Sequence, residues 1–398
     1  MESLNILLEN YHLVQDNRLK DRFFKHSDII QILDSIRENT DFQIREAGFS
    51  VENRSINLIT WGKGPCKVFL WSQMHGDEAT ATMAIADFLI FLSDPENFQD
   101  LREPIRNHCT LYILPMVNPD GAEIFNRRNA LGIDINRDFH HQQSPEGRLL
   151  RALRDEINPH FGFNLHDQHT GWSAGSTGNP STISLLAPAY DKELNINGVR
   201  GNAMKVISLM NAALQESIPD HVGRFDDEHE PRAFGDNFQA SGTSTILIEA
   251  GGYHNDREKQ FIRKMFFKAM LSGILSIAEK TYLQAEAEDY FAIPENKKLH
   301  FDILLKNCKL QRNGISYMQD IGLILDQKVN IDFRSMIYTY LIADLGDLSH
   351  CFAYEELNCE HLTLTEIKKI ALNEPADLII HEGTSVLLTI ENGNISIE

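Results

Sequence analysis

Three side chains in this sequence have the types and spacing to share one metal ion. His75 and Glu78 stand three apart in "MHGDE", where the apolar run "CKVFLW" (66–71) gives way to a second apolar run with helical spacing. Where a strand end opens into a helical turn, an i, i+3 pair brings both side chains to one side. Imidazole nitrogen with carboxylate oxygen is a sound zinc pair, but two protein ligands are too few for a stable catalytic site. A third is expected from another strand end, because sites in open α/β sheets collect there. His166, closing the apolar run "FGFNLH" (161–166), is the candidate. Two histidines and one glutamate leave a coordination position for water. Charge in so apolar a setting costs free energy unless it is compensated, and a divalent cation would compensate it.

Two further stretches carry chemistry. "FNRRNALGIDINRDF" (125–139) offers Arg127 and Arg137, with Asn136 beside the latter. Arginine forks bind carboxylates bidentately; the alternative is a solvated salt-bridge loop. "STILIEAGG" (244–252) ends an apolar strand on Glu249 followed by two glycines. A carboxylate there is either a general base or a structural ion-pair partner.

The elements that must position these groups follow from the hydrophobic pattern. Residues 56–60, 66–71, 109–117, 161–166, 182–187 and 243–250 read as strands that are apolar nearly throughout, as strands covered on both faces should be. Helices are expected at 79–93, from Pro145 behind a Ser144 cap, at about 197–217 and at about 257–280. This is an α/β layered domain. Residues 284–298 are charged, contain a proline and lack a period, which predicts a linker between a catalytic domain (1–283) and a small, mainly β accessory domain (299–398). One helix, about 363–372, is expected in the latter. Its histidines, His350, His361 and His381, are scattered and read as ordinary surface or core residues.

Bulk properties bound the function. With 398 residues the chain is comfortable for two domains, and 42% hydrophobic content suits a sizeable core. A formal charge of −20 disfavours nucleic acid and anionic lipid as partners. Neither a membrane span nor a secretory signal pattern is apparent. Five cysteines without a C-x-x-C predict reduced thiols in a cytoplasmic protein.

In order along residues 25–280, "GFSVENRSINLITWGKG", "HGDE", "LPMVNPDGAE", "RRNALGIDINRDF", "SPEGRLL", "NLHDQ" and "ILIEAGG" resemble the motifs of the M14 (carboxypeptidase A-like) zinc carboxypeptidases. The resemblance implies a mixed eight-stranded sheet between helices and one Zn2+ per chain, held by His75, Glu78 and His166. It implies that Asp134 orients the first histidine, that Asn136 and Arg137 grip the substrate's terminal carboxylate, that Arg127 polarises the scissile carbonyl, and that Glu249 is the general base toward a zinc-activated water. The implied activity is hydrolysis of the C-terminal peptide bond of a peptide with a free carboxylate.

The sequence departs from the family in the loop before Glu249. Residues 221–242, "HVGRFDDEHEPRAFGDNFQASG", contain no tyrosine, where family members supply one from a mobile loop. His229 lies in that region, and Phe234 to Asp236 fall where a specificity pocket is expected. The departure keeps a second reading open, a zinc amidase or deacylase acting on N-acyl amino acids or cell-wall-type peptides. A non-catalytic binding protein is a third, disfavoured by the presence of Glu249, Arg127 and all three ligands.

Overall fold

The computed structural model describes residues 2–330, 332 and 335–396. The chain divides into two compact units, residues 1–168 with 181–296, and residues 169–180 with 297–398.

The first unit is a sheet between helices. Its strands are β1 (Phe42–Phe49), β2 (Ser55–Gly62), β3 (Cys66–Ser72), β4 (Cys109–Leu114), β5 (Phe161–Asp167), then, past a short β6 (Trp172–Ala174) of the second unit, β7 (Ile183–Leu186), β8 (Val222–Arg224) and β9 (Ser244–Ala250). Eight of them form one mixed sheet in the order β1-β2-β4-β3-β5-β9-β7-β8. The centre, β4-β3-β5-β9, is parallel, and β1, β2 and β7 pair antiparallel to their inner neighbours. Both faces of the centre are buried, which is why these strands lack polar alternation. Val68 and Leu70 of β3 join one core with Phe163 and Leu165, while Phe69 and Trp71 point into the other with Leu150, Phe234 and Phe238.

The helices are α1 (Glu2–Glu9), α2 (His26–Ile36), α3 (Thr80–Ser93), α4 (Gln99–His108), α5 (Pro119–Glu123), α6 (Pro145–Ile157), α7 (Gly198–Gln215), α8 (Phe234–Ala240) and α9 (Gln260–Ala278). The α6 start follows from its cap: Ser144 Oγ accepts from Gly147 N at 3.0 Å, with Pro145 at the first helical position. Helix α3 is buried almost all round, so it follows no single apolar stripe. Its Asp87 is compensated inside the core by Arg263 of α9 and by the Tyr11 hydroxyl, and Arg263 also donates to Leu19 O at 2.5 Å and Asp16 O at 3.0 Å.

Residues 284–298, read from the sequence as a linker, contain regular elements. A 3₁₀ turn covers Ala287–Ala292, and Tyr290 within it is fully buried with its hydroxyl accepting from Ala187 N at 3.3 Å.

The second unit is β throughout, and β6 pairs with β10 (Asn296–Lys298) in a two-stranded sheet. Strands β11 (His300–Arg312), β12 (Ile315–Val329), β13 (Met336–Gly346) and β14 (Phe352–Asn358) form one sheet, and β15 (Thr363–Glu366), β16 (Leu378–Glu382), β17 (Ser385–Glu391) and β18 (Asn394–Ser396) form another. Ile303, Leu305, Ile321 and Leu323 meet Leu378, Ile380 and Ile390 in a shared core. The helix expected at 363–372 is not formed. Thr363–Glu366 pairs with β16 instead, Leu364 opposite Ile380, because the alternation Thr-Leu-Thr lets Leu364 reach that core from a pleated strand.

Removing the cation from the buried Asp87–Arg263 pair tests the packing of α3 on α9. Arg263→Met is expected to lower unfolding free energy by about 3–5 kcal/mol in urea denaturation, with Asp87→Asn in the same chain recovering most of the loss. A loss below about 1 kcal/mol would contradict a buried, structurally required pair.

Candidate metal centre

The turn that carries the first two candidate ligands is built by close backbone approach. After β3 the chain passes through Gln73, in the left-handed region at φ 49°, to Gly76. A Cβ on Gly76 would stand 2.1 Å from the Gly121 carbonyl carbon and 2.4 Å from Ala122 N. Only glycine lets this turn lie against α5. Gly76 N donates to Asn126 O at 3.0 Å, and Glu78 N donates to His75 O at 3.1 Å, closing the turn that brings the two side chains together. Strand β5 runs parallel beside β3, so its end delivers His166 to the same edge of the sheet.

Both histidines turn Nδ1 toward the Glu78 carboxylate, one oxygen each. His75 Nδ1 is 2.6 Å from Oε1 and His166 Nδ1 is 2.6 Å from Oε2. One ligand atom from each residue lies within 4.8 Å of the others, and all three residues are buried. This is the one such cluster of metal-binding side chains among the described residues. Behind it, His75 Nε2 lies 3.1 Å from Asp134 Oδ1, and that oxygen also accepts from Asn136 N at 3.0 Å. A carboxylate on Nε2 fixes the ring and directs the Nδ1 lone pair at the cluster.

The electrostatics are those of an anionic pocket. Burial opposes ionisation of Glu78, yet His75 and His166 hold its carboxyl well below the usual range. Burial lowers the His75 imidazole, but Glu78 and Asp134 together raise it above its ordinary value. His166 has Glu78 alone, and burial carries it downward. Asp77 is pushed up to about 6, chiefly by burial and then by Glu78.

Arg127 reaches into this group. Its Nη1 lies 3.1 Å from both His75 Nδ1 and Glu78 Oε1, and its Nε lies 3.1 Å from Asp134 Oδ2. The adjacent Arg128 turns away and donates to Gly132 O at 3.0 Å. Two imidazole nitrogens and a carboxylate thus converge in a buried place where a guanidinium nitrogen already sits at hydrogen-bond distance. That donor set fits one divalent cation of the zinc type.

Glu249 stands next to His166, directly opposite it in the parallel β5–β9 pairing. Its Oε2 is buried without a hydrogen-bond partner among the described residues. Burial, then the charges of Glu78 and Asp167, raise its carboxyl well above the usual range. A strongly perturbed carboxyl in such a place is a functional-site candidate. Asn136 and Arg137 follow Asp134 on a single 3₁₀ turn. Asn136 Oδ1 accepts from Phe234 N at 2.9 Å, and Arg137 Nε is 3.0 Å from Glu230 Oε2. His229 pairs with Asp236, Nδ1 to Oδ1 at 3.4 Å.

Sequence reasoning missed one support of the cluster. Asp167, one residue past His166, accepts from Thr80 Oγ1 at 2.5 Å and from Lys259 Nζ at 3.1 Å, while Lys259 Nζ also donates to Ala250 O at 2.9 Å. This buried tie joins the ends of β5 and β9 to the start of α3. The Asp after "NLH" was visible, but nothing in the sequence around Lys259 marks it as its partner.

Residues 29–161 match the family model of the M14 peptidases, zinc carboxypeptidase. A probable carboxypeptidase 2 of Arthroderma benhamiae is 27% identical over 164 residues, 40% of this chain and 28% of the relative. Cytosolic carboxypeptidase 6 of Mus musculus is 30% identical over 116 residues, 26% of this chain and 21% of the relative. The chain therefore spans under a third of the length of these curated relatives. A solved metallo-carboxypeptidase from Burkholderia cenocepacia shares the fold, with a TM-score of 0.52 at 18% identity over 65% of this chain and 70% of that one. The family model thus covers the part of the motif series within residues 29–161, and the solved neighbour shares the fold.

Metal analysis of the purified chain is expected to find about one zinc per chain, and His166→Ala to retain less than roughly a tenth of it. Full zinc content in that variant would remove His166 from the ligand set.

Proposed function

We propose that this chain is a zinc metallocarboxypeptidase that hydrolyses the C-terminal peptide bond of peptides. The convergence of His75 Nδ1, His166 Nδ1 and the Glu78 carboxylate, with Asp134 behind His75, carries the reading. These three residues would hold one Zn2+. Bound there, zinc would act as a Lewis acid toward a carbonyl oxygen and lower the pKa of water toward about 7.

The chain's own groups supply the rest. Glu249 would take the proton of the attacking water at its carboxylate and deliver it to the leaving amine, general acid–base work worth about 10²–10⁴-fold. Its burial and unpaired Oε2 support that role. Arg127, whose Nη1 is already at the ligand set, would donate to the oxygen on which negative charge develops. Asn136 and Arg137 would hold the terminal carboxylate and so fix the scissile bond relative to Glu249. A cytoplasmic setting belongs to the proposal and is supported by five unbridged cysteines.

A second reading, an amidase on N-acyl amino acids or cell-wall-type peptides, draws on the absence of tyrosine from residues 221–242 and on the engagement of Arg137 by Glu230. Both substrates would present a free carboxylate. Turnover of a peptide panel beside N-acyl amino acids divides the two readings. The carboxypeptidase reading expects the peptides to be the better substrates, and hydrolysis confined to N-acyl amino acids would replace it with the second.

Glu249→Gln is expected to keep its zinc while kcat falls by about 10²–10⁴; a variant that turns over normally would discard Glu249 as the base. Arg137→Gln is expected to raise KM for peptides with a free C-terminus by about tenfold or more and to leave amidated peptides unaffected. Equal loss on both would count against Arg137 as the carboxylate anchor.

A further inference from the structure

The guanidinium assigned to the substrate's carboxylate already holds a carboxylate of the chain itself. Glu230 Oε2 lies 3.0 Å from Arg137 Nε. Arg232 holds the same group more fully: its N and Nε reach Oε1 at 3.1 and 2.9 Å, and its Nη2 reaches Oε2 at 2.8 Å. The bidentate fork therefore belongs to Arg232, while Arg137 approaches the same carboxylate through Nε. The loop is pinned on both sides of this carboxylate. Glu230 N donates to Asp236 Oδ1 at 3.0 Å, and Arg232 O accepts from Phe139 N at 3.3 Å. Hydrogen bonding from Arg232, aided by the charges of Arg137 and Arg232, brings the Glu230 carboxyl down to about 2, so it is ionised at any working pH.

Resting on the reading of Arg137 as the anchor, we propose that Glu230 is an internal latch, a competing carboxylate that occupies Arg137 until a substrate's own α-carboxylate replaces it. Three observations support the exchange. The Arg137 and Glu230 side chains are 36% and 27% exposed, so breaking their contact strands no buried charge. Glu230 stays ion-paired with Arg232 when it lets go. An incoming carboxylate can take the planar fork of Arg137 from solvent, whereas a carboxamide brings no charge to offset the departure of Glu230. The contact thus lowers the affinity for a free C-terminus below what an unoccupied Arg137 would give, and leaves a blocked C-terminus, which does not displace Glu230, unaffected.

The test is equilibrium binding to the zinc-loaded full chain by calorimetry, with N-acetyl-L-phenylalanine and its carboxamide as probes. Glu230→Gln is expected to bind the acid about three- to fivefold more tightly, the range an exposed ion pair commands, and the carboxamide no differently. Arg137→Gln combined with Glu230→Gln should erase the gain. Unchanged or weaker acid binding by Glu230→Gln would overturn the proposal, since Glu230 would then orient Arg137 rather than compete for it. A gain shared by the carboxamide would overturn it as well. Tighter acid binding in a chain that cleaves no peptide would leave the latch standing and remove the carboxypeptidase reading; peptide cleavage with unchanged acid binding would do the reverse.

Discussion

Two imidazoles and one carboxylate share a small buried space, and most of the first unit can be understood as the means of holding them there. Glu78 is ionised between His75 and His166 in a place where an uncompensated charge would be costly. Around it lie Asp134, Asp77 and Glu249, each a further acidic group. Arg127 offsets part of this negative charge at hydrogen-bond distance. A divalent cation on the same three donors would offset more, and it would do so at the point where their lone pairs meet. The acidic character of the pocket therefore suits a bound divalent cation.

Positioning comes from the sheet. The parallel order β3-β5-β9 places the ends of three strands side by side, and each end brings one group: the His75–Glu78 turn after β3, His166 on β5 and Glu249 on β9. Register does the fine work, since His166 and Glu249 are directly opposed and so emerge on one face. Gly76 permits the turn to press against α5, and the Asp167–Lys259–Thr80 tie joins the strand ends to α3. Packing on both faces of the strands makes this edge rigid, which a site of this kind needs if its donors are to be held in place.

The central strands, α3 and the α6 cap were legible because each rests on a local rule: continuous apolar runs, helical spacing, and Ser-Pro at a helix start. The convergence of His75, Glu78 and His166 was legible because all three sit at strand ends. Edge strands were not. β1, "FQIREAGF", carries a glutamine, an arginine and a glutamate and lies at the edge, so its pattern is mostly exposed. β8 spans three residues and offers no period at all. Leu364 escaped because its partner Ile380 is distant in sequence, and β pairing overrode the helical spacing. Glu230 escaped for a related reason. A glutamate in a charged loop looks solvated until the fold sets it beside Arg137.

The central claim is a first coordination shell of two imidazoles and a carboxylate. X-ray absorption at the zinc edge of the purified chain reads that shell directly. The account predicts nitrogen and oxygen neighbours at about 2.0–2.2 Å, with the outer-ring scattering of two histidines and no sulfur. A shell dominated by thiolate sulfur at about 2.3 Å, or one without imidazole scattering, would contradict it.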